Sequence, residues 1–432
     1  MPGSGLGRRK QVRVHTPPTP GNTTDEPDIA RSDIATPSPA DKGRGNGKGR
    51  GRGKLRGRLR RLLAMRTTRV VLALLVVFTG WLSWSVGSAL AAPGDDSVAA
   101  RIAEWGRDHE LGPVVTALES LQYEAHPPAI GGRPDMALLP TGAAAPGATT
   151  GKPAIPAVVP PRLSSPAGPP LPGEGTWQVL GSVHGTPALY GAYVRPDADH
   201  TSYVAGVVSM DQRLLRFALH PGELDPGPGN WGVPPFIPAG QRTGLLATFN
   251  GGFKVDEARG GFYLNGVTRG TLTDQDASLV FYRDGHVAVG AWNHGVAMTP
   301  QVVGVRQNLN LIVDGGRVPA EVDNNVESGW GLTIAGKYFV WRSGAGVTRD
   351  GRAVYVYGPA LSVRTLAELL QRAGCVEAMQ LDINPAWMSY MYYKPLPDPA
   401  NPEPVKLLPT QERPADRYFE STSRDFTAVY AR

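Results

Sequence analysis

No charged residue occurs between Arg69 and Asp95, and residues 70–78 read Val-Val-Leu-Ala-Leu-Leu-Val-Val-Phe. A helix needs about 20 such residues to cross the hydrocarbon of a bilayer, and residues 70–90 supply them. This run sets the layout of the chain, because whatever precedes it and whatever follows it must then lie on opposite sides of a membrane. The charge distribution gives the direction. Residues 1–69 carry 17 Lys/Arg against 5 Asp/Glu, near +12, whereas the whole chain is only +6, so the remainder is near −6. Positive charge flanking a span holds that flank in the cytoplasm. We therefore expect a single-pass protein of the cell membrane, with a span at 70–92, the N-terminus cytoplasmic and the C-terminal domain extracytoplasmic. Trp81 and Trp84 fall toward the outer interface. Cleavage after Ala89-Leu90-Ala91 is the competing reading; the nearly 70 residues before the run and its length favour an uncleaved anchor.

Residues 1–69 form a basic tail whose centre, Lys42 to Lys54, alternates Gly with Arg or Lys. Such a segment has no apolar face to bury and is expected to be disordered. Nucleic acid is a possible partner for such a segment by charge alone. The position beside the span favours membrane lipid headgroups instead. After the span, residues 93–126 place Val98, Ile102 and Trp105, then Val114, Val115, Leu118 and Leu121, at helical spacing, giving two short amphipathic helices at about 97–110 and 113–123. Residues 127–175 are rich in Pro, Ala and Gly and read as an extended spacer. Cys375 is the only cysteine, so no intrachain disulfide exists and the outer domain must rely on core burial.

From residue 176 to 432 the pattern becomes that of short strands: 177–180, 189–194, 203–208, 246–249, 279–282, 309–313, 337–341 and 376–381. Asp-Gly pairs at 284–285, 314–315 and 350–351 mark turns. One helix is well signalled at 362–372, with Leu366, Leu369 and Leu370 as its buried face and Gly374 at its end. Many strands and few helices indicate a mixed, strand-rich α+β domain.

Two blocks in this domain carry polar groups where strands end, a position from which rigid scaffolds present functional side chains. One is Asn250-Gly251-Gly252-Phe253. The other runs from Arg342-Ser343-Gly344-Ala345-Gly346, with Asp350-Gly351 following, to Gln380-Leu381-Asp382. With Gln307-Asn308-Leu309 and Val313-Asp314-Gly315-Gly316 between them, their order and spacing resemble the phosphodiester glycosidase family over roughly residues 245–430. The chain departs from the family after Asp382, where Ile383-Asn384-Pro385-Ala386-Trp387 replaces three glycines and a serine; Lys254 likewise replaces a phenylalanine.

The resemblance implies a hydrolase for a sugar-1-phosphodiester or related cell-envelope glycan. A non-catalytic glycan-binding or wall-organising module on the same fold is the alternative, favoured by the altered loop. Cleaving such a bond requires a cation for phosphate and a carboxylate at the anomeric carbon. Arg342, read as opening a loop after the strand 337–341, is the candidate phosphate ligand; Asp382 is the candidate carboxylate, and Asn250 the orienting amide. Gly251, Gly252, Ser343, Asn384 and Trp387 are candidate substrate contacts. Asp314 and Asp323 are possible second carboxylates, and Trp387, Tyr390, Tyr392 and Tyr393 are either sugar platforms or ordinary core. The histidines show no metal-ligand spacing, and the sequence leaves any metal or cofactor unknown.

Overall fold

A computed structural model describes residues 51–91, 97–111, 114–115, 117–118, 126–141, 155–323 and 339–432. The basic tail up to residue 50, most of the expected second amphipathic helix and residues 142–154 of the expected spacer lie outside them. The chain divides into two compact units, Met1–Leu75 and Val76–Arg432. Described residues of the first form the beginning of helix α1 (Gly51–Leu90). The stretch Met65–Leu90 of that helix is long and apolar enough to cross a membrane.

In the second unit, α2 (Val98–Asp108) starts on Ser97, whose hydroxyl accepts the Ala100 N–H, as an N-cap does. Strands β1 (Gln178–Val183), β2 (Thr186–Val194), β3 (Ala205–Met210), β4 (Leu215–His220) and β5 (Leu245–Asn250) follow. A one-turn helix α3 (Val255–Ala258) precedes β6 (Phe262–Leu264), β7 (Val267–Arg269), β8 (Ala277–Tyr282), β9 (Val287–Ala291), β10 (Val302–Gln307) and β11 (Leu311–Val313). Then come β12 (Val340–Thr348), β13 (Ala353–Leu361), α4 (Val363–Arg372) and β14 (Cys375–Gln380). The last strands are β15 (Tyr390–Lys394), β16 (Glu403–Lys406) and β17 (Phe426–Ala431).

These strands make three antiparallel sheets, ordered β1-β2-β3-β13-β12-β14-β11, β7-β6-β10-β8-β9 and β16-β15-β5-β17-β4. The strand-rich α+β reading is correct. One core joins inner-face residues of all three sheets, among them Leu189, Phe217, Phe249, Phe281, Tyr355 and Leu381. A second core lies on the other face of the seven-stranded sheet, where Leu366, Leu369 and Leu370 of α4 pack with Val354, Val356 and Ala378. Ser362 and Thr365 form a capping box at the start of α4, and Gly374, with φ +93°, ends it in the left-handed region, as expected.

Arg342 does not open a loop; it stands inside β12. The glycines that suggested a turn serve packing instead. A Cβ on Gly344 would lie 3.0 Å from Leu370 and one on Gly346 would lie 2.7 Å from the Cys375 sulfur, so their absence lets α4 and β14 approach the strand. Burial raises the Cys375 thiol pKa, consistent with a structural residue. Residues 155–175 are packed along the domain: Leu163 belongs to the second core, and Glu174 pairs with Arg195 at 3.0 Å.

Candidate active site

The carboxyl end of β5, the middle of β12 and the end of β14 converge between the sheets. Asn250, the last residue of β5, is buried. Its Nδ2 donates to Gly251 O at 2.7 Å and to Ser343 Oγ at 3.1 Å. Its Oδ1 accepts from the Tyr355 hydroxyl at 2.5 Å and from Ser389 N at 3.2 Å. Every polar atom of the amide is therefore held, which fixes its orientation. Ser343 Oγ also accepts the Asp382 N–H at 3.1 Å, and the backbones exchange Ser343 N to Asp382 O at 2.9 Å. Asn250, Ser343 and Asp382 thus form one connected group.

Asp382 follows β14 and is 4% exposed. Its Oδ1 accepts the N–H groups of Ile383 and Asn384 at 2.7 and 2.8 Å. Burial pushes its pKa up to about 6, with nearby Glu257 adding to the rise, while Arg424 and the two backbone donors act against it. A carboxyl tuned toward neutrality is a common property of catalytic acids and bases. Asn384 Oδ1 accepts Ala386 N at 2.9 Å, so the divergent loop is closed by its own side chain. Trp387 is buried with the Arg413 and Arg424 guanidiniums 4.6 and 4.8 Å from its ring, a cation–π arrangement. Tyr390, Tyr392 and Tyr393 are core residues of β15; alternate strand residues must pack against both faces there, and no ring is left for a sugar.

Arg342 lies on the β12 face opposite Ser343, because neighbouring strand residues alternate. Its Nε donates to Leu361 O and its Nη1 to Gln380 Oε1, both at 2.8 Å. It is joined to the Asn250–Ser343–Asp382 group through β12 and through Gln380, two residues before Asp382. Gly251 donates its N–H to Asp425 O at 2.9 Å. Of the possible second carboxylates, Asp314 closes a turn with Arg317, and Asp323 is half-exposed and paired with Arg364 at 2.5 Å.

Several polar residues around the group were not among the candidate site residues, although Asn308 stands in the Gln307-Asn308-Leu309 block. Arg306, at β10, donates from Nε to Asp425 Oδ2 at 3.0 Å and from Nη2 to Phe253 O. Asn308 binds Phe253 N at 3.1 Å through Oδ1 and the carbonyls of Gln380 and Leu381 at 2.6 and 2.9 Å through Nδ2. It thereby ties the Asn250-Gly251-Gly252 turn to the approach of Asp382. Arg424 acts electrostatically on Asp382 and pairs with Glu104 of α2 at 3.2 Å. The available signal was the charged pair Arg424-Asp425 set directly before the apolar strand β17. Among the described residues, no group of three or more His, Cys, Asp or Glu is placed to hold a metal ion. A recess of 280 Å³ between β4 and β8, lined by Arg216, Phe217, Asn265 and Tyr282, includes none of the site residues.

The fold is a strand-rich α+β domain in which Asn250, Ser343 and Asp382 form one buried, connected polar group. Residues 243–382 match the family model of phosphodiester glycosidases. Similar solved structures include three from different organisms. The catalytic domain of zebrafish N-acetylglucosamine-1-phosphodiester alpha-N-acetylglucosaminidase, auto-inhibited by its pro-peptide, is 12% identical with TM-score 0.36, over 60% of this chain and 88% of that one. A hypothetical protein from Synechocystis is 14% identical with TM-score 0.33, over 60% and 64%. A putative exported protein from Burkholderia pseudomallei is 14% identical with TM-score 0.29, over 53% and 74%. No curated protein matches.

Proposed function

We propose that the domain at 176–432 hydrolyses a sugar-1-phosphodiester or related glycan of the cell envelope, held at the membrane by the helix at 70–92 with the basic tail inside, near lipid headgroups. The observation that carries this is the buried Asp382 carboxyl, raised to about 6 and linked through Ser343 to a fully held Asn250, within the segment that matches the family. In the reaction the anomeric C–O bond breaks, a water oxygen adds to the anomeric carbon, and a phosphate monoester leaves with the bonding electrons. Asp382 in its ionised form takes the water proton or balances the positive charge that develops at carbon. Asn250, by exchanging one of the four bonds that hold its amide, and Asn384 orient sugar hydroxyls, with Trp387 as one wall, and Gly251, Gly252 and Ser343 shape the approach. By resemblance Arg342 would hold phosphate. Doing so requires exchanging its bonds to Leu361 O and Gln380 Oε1.

The test is release of free sugar from model sugar-1-phosphodiesters and envelope polymers by the detergent-solubilised chain, with Asp382→Asn as control. Release that is equal in both proteins excludes Asp382 as the reacting group. A non-catalytic glycan-binding module is the second reading. Its support is that Asp382 Oδ1 already serves the turn at Ile383 and Asn384, and glycan binding without any sugar release would establish it. For topology, protease treatment of intact cells is expected to remove the C-terminal domain and spare the tail; a protected C-terminal domain overturns the orientation.

A further inference from the structure

We propose that Arg424 and Lys254 form an anion subsite beside Asp382 that takes the substrate's phosphate, and that Glu104 of α2 occupies it in the structure described here. This rests on the sugar-phosphodiester reading above.

The first observation is an inverted helix. α2 exposes Val98 (63%) and Ile102 (47%) but buries Glu104, which is 7% exposed. Acidic residues are almost never fully buried unless paired, and Glu104 is paired twice. Its Oε1 lies 3.2 Å from Arg424 Nη2 and 3.1 Å from Lys254 Nζ. Lys254 also reaches Asp108 at 2.6 Å, so two carboxylates one helical turn apart meet the same cation.

The second observation is the state of Arg424 itself. It is 7% exposed, and its Nε and Nη1 are buried without a hydrogen-bond partner. A buried guanidinium with two unengaged donors is costly, and its planar fork matches phosphate oxygens. Burial works against its charge, but Glu104, Asp225, Asp382 and Glu257 together hold its pKa above the ordinary arginine value. One carboxylate touching one nitrogen of the fork satisfies it incompletely; a phosphate has enough oxygens to reach the others. Arg342 is different, because its Nε and Nη1 are already bonded within the domain.

The third observation is position. Arg424 follows Ser423 at the entry to β17, with Trp387 against its guanidinium. It acts electrostatically on Asp382. Phosphate held on Arg424 would therefore lie within electrostatic reach of the Asp382 carboxyl. Lys254, which replaces an aromatic residue of the family pattern, supplies the second positive charge. Because Glu104 is tethered in the same chain, it competes with substrate as an internal ligand. Apparent affinity is lowered by the fraction of molecules in which the site is open.

The experiment is titration calorimetry of the solubilised full chain with inorganic phosphate, together with kinetics on a methyl sugar-1-phosphodiester. Glu104→Gln should tighten phosphate by about tenfold or more and lower KM more than it changes kcat. Adding Arg424→Gln should abolish that gain, and Lys254→Gln should weaken it. Unchanged phosphate affinity in Glu104→Gln overturns the proposal, as does a double variant that binds like Glu104→Gln alone. If Arg424→Gln does not fold, Arg424→Lys decides: a point charge in place of the fork should weaken phosphate severalfold, and unaltered affinity overturns the subsite. Arg424-dependent phosphate binding without sugar release by any variant refutes the glycosidase reading and keeps the subsite. Sugar release indifferent to both Glu104 and Arg424 does the reverse.

Discussion

The Asn250 amide donates to the Ser343 hydroxyl across 3.1 Å, joining residues 93 positions apart. That same hydroxyl accepts the Asp382 N–H, so one oxygen registers three chain segments from two sheets. Ser343→Ala leaves a buried N–H of Asp382 and one donor of Asn250 without this acceptor. The expected loss of stability is about 1–3 kcal/mol. Turnover should fall more than substrate affinity, because a shifted Asp382 affects chemistry first. Thermal melting and a kcat/KM separation check both parts. Unchanged melting would show that water or a neighbour replaces the hydroxyl.

On the proposed reading, Asp382 sets the pH dependence. Its carboxyl must be ionised to take a proton or to face positive charge, so kcat/KM should rise as pH climbs through about 6. Arg424 lowers this pKa, and Arg424→Gln should therefore move the rising limb to higher pH. Asp382→Asn keeps the acceptor for the Ile383 and Asn384 N–H groups but removes the base, and should reduce kcat by about 10²–10⁴-fold. Stability should move the opposite way. A folded pKa above the ordinary 3.8 means the native state keeps a proton that the unfolded chain has lost. This contribution is fully present below about pH 4 and disappears as pH rises through about 6. The denaturation midpoints of wild type and Asp382→Asn should therefore separate as pH increases, with the variant the more stable at neutral pH; parallel profiles would place the titration elsewhere.

Much of this arrangement was legible because the relevant residues stand where periodicity changes. Asn250 ends an apolar strand, Asp382 ends another, and the 362–372 helix carries both its cap and its stop. Arg342 was misplaced because Arg-Ser-Gly-Ala-Gly has the composition of a turn, while the glycines are set by α4 and Cys375 pressing on β12, a tertiary cause that local composition does not contain. The tyrosines after Trp387 were ambiguous for a similar reason: an aromatic run is equally a platform or a strand, and only the neighbours of β15 decide. Arg424 and Glu104 are 320 positions apart, and nothing local to either foretells a contact made by the packing of the whole chain.

Gly251→Ala separates a packing glycine from a ligand-binding one. A Cβ at this position would lie 2.0 Å from Asp425 Oδ2, within a carboxylate that is itself held by Arg306 at 3.0 Å. Overpacking of this kind costs about 1–3 kcal/mol or more. The variant should melt lower even with no ligand present. A variant with normal melting but lost sugar release would assign Gly251 to the substrate instead.

Arg306 and Asp425 provide the last test, because both are almost wholly buried and they pair at 3.0 Å. Arg306 also donates to Gln307 O and Phe253 O, so it supports the turn after Asn250 as well as neutralising Asp425. Removing one member of a buried pair leaves an uncompensated charge and typically costs about 3–5 kcal/mol. Arg306→Met and Asp425→Leu should each destabilise the domain by that order. The double variant removes both charges, so it should be less destabilised than the sum of the two, though not restored to wild type, because the Phe253 and Gln307 carbonyls still lose their donor. Chemical denaturation of the four proteins gives the coupling directly. Additive losses would mean that Arg306 acts through the two carbonyls alone and that Asp425 is compensated by another cation.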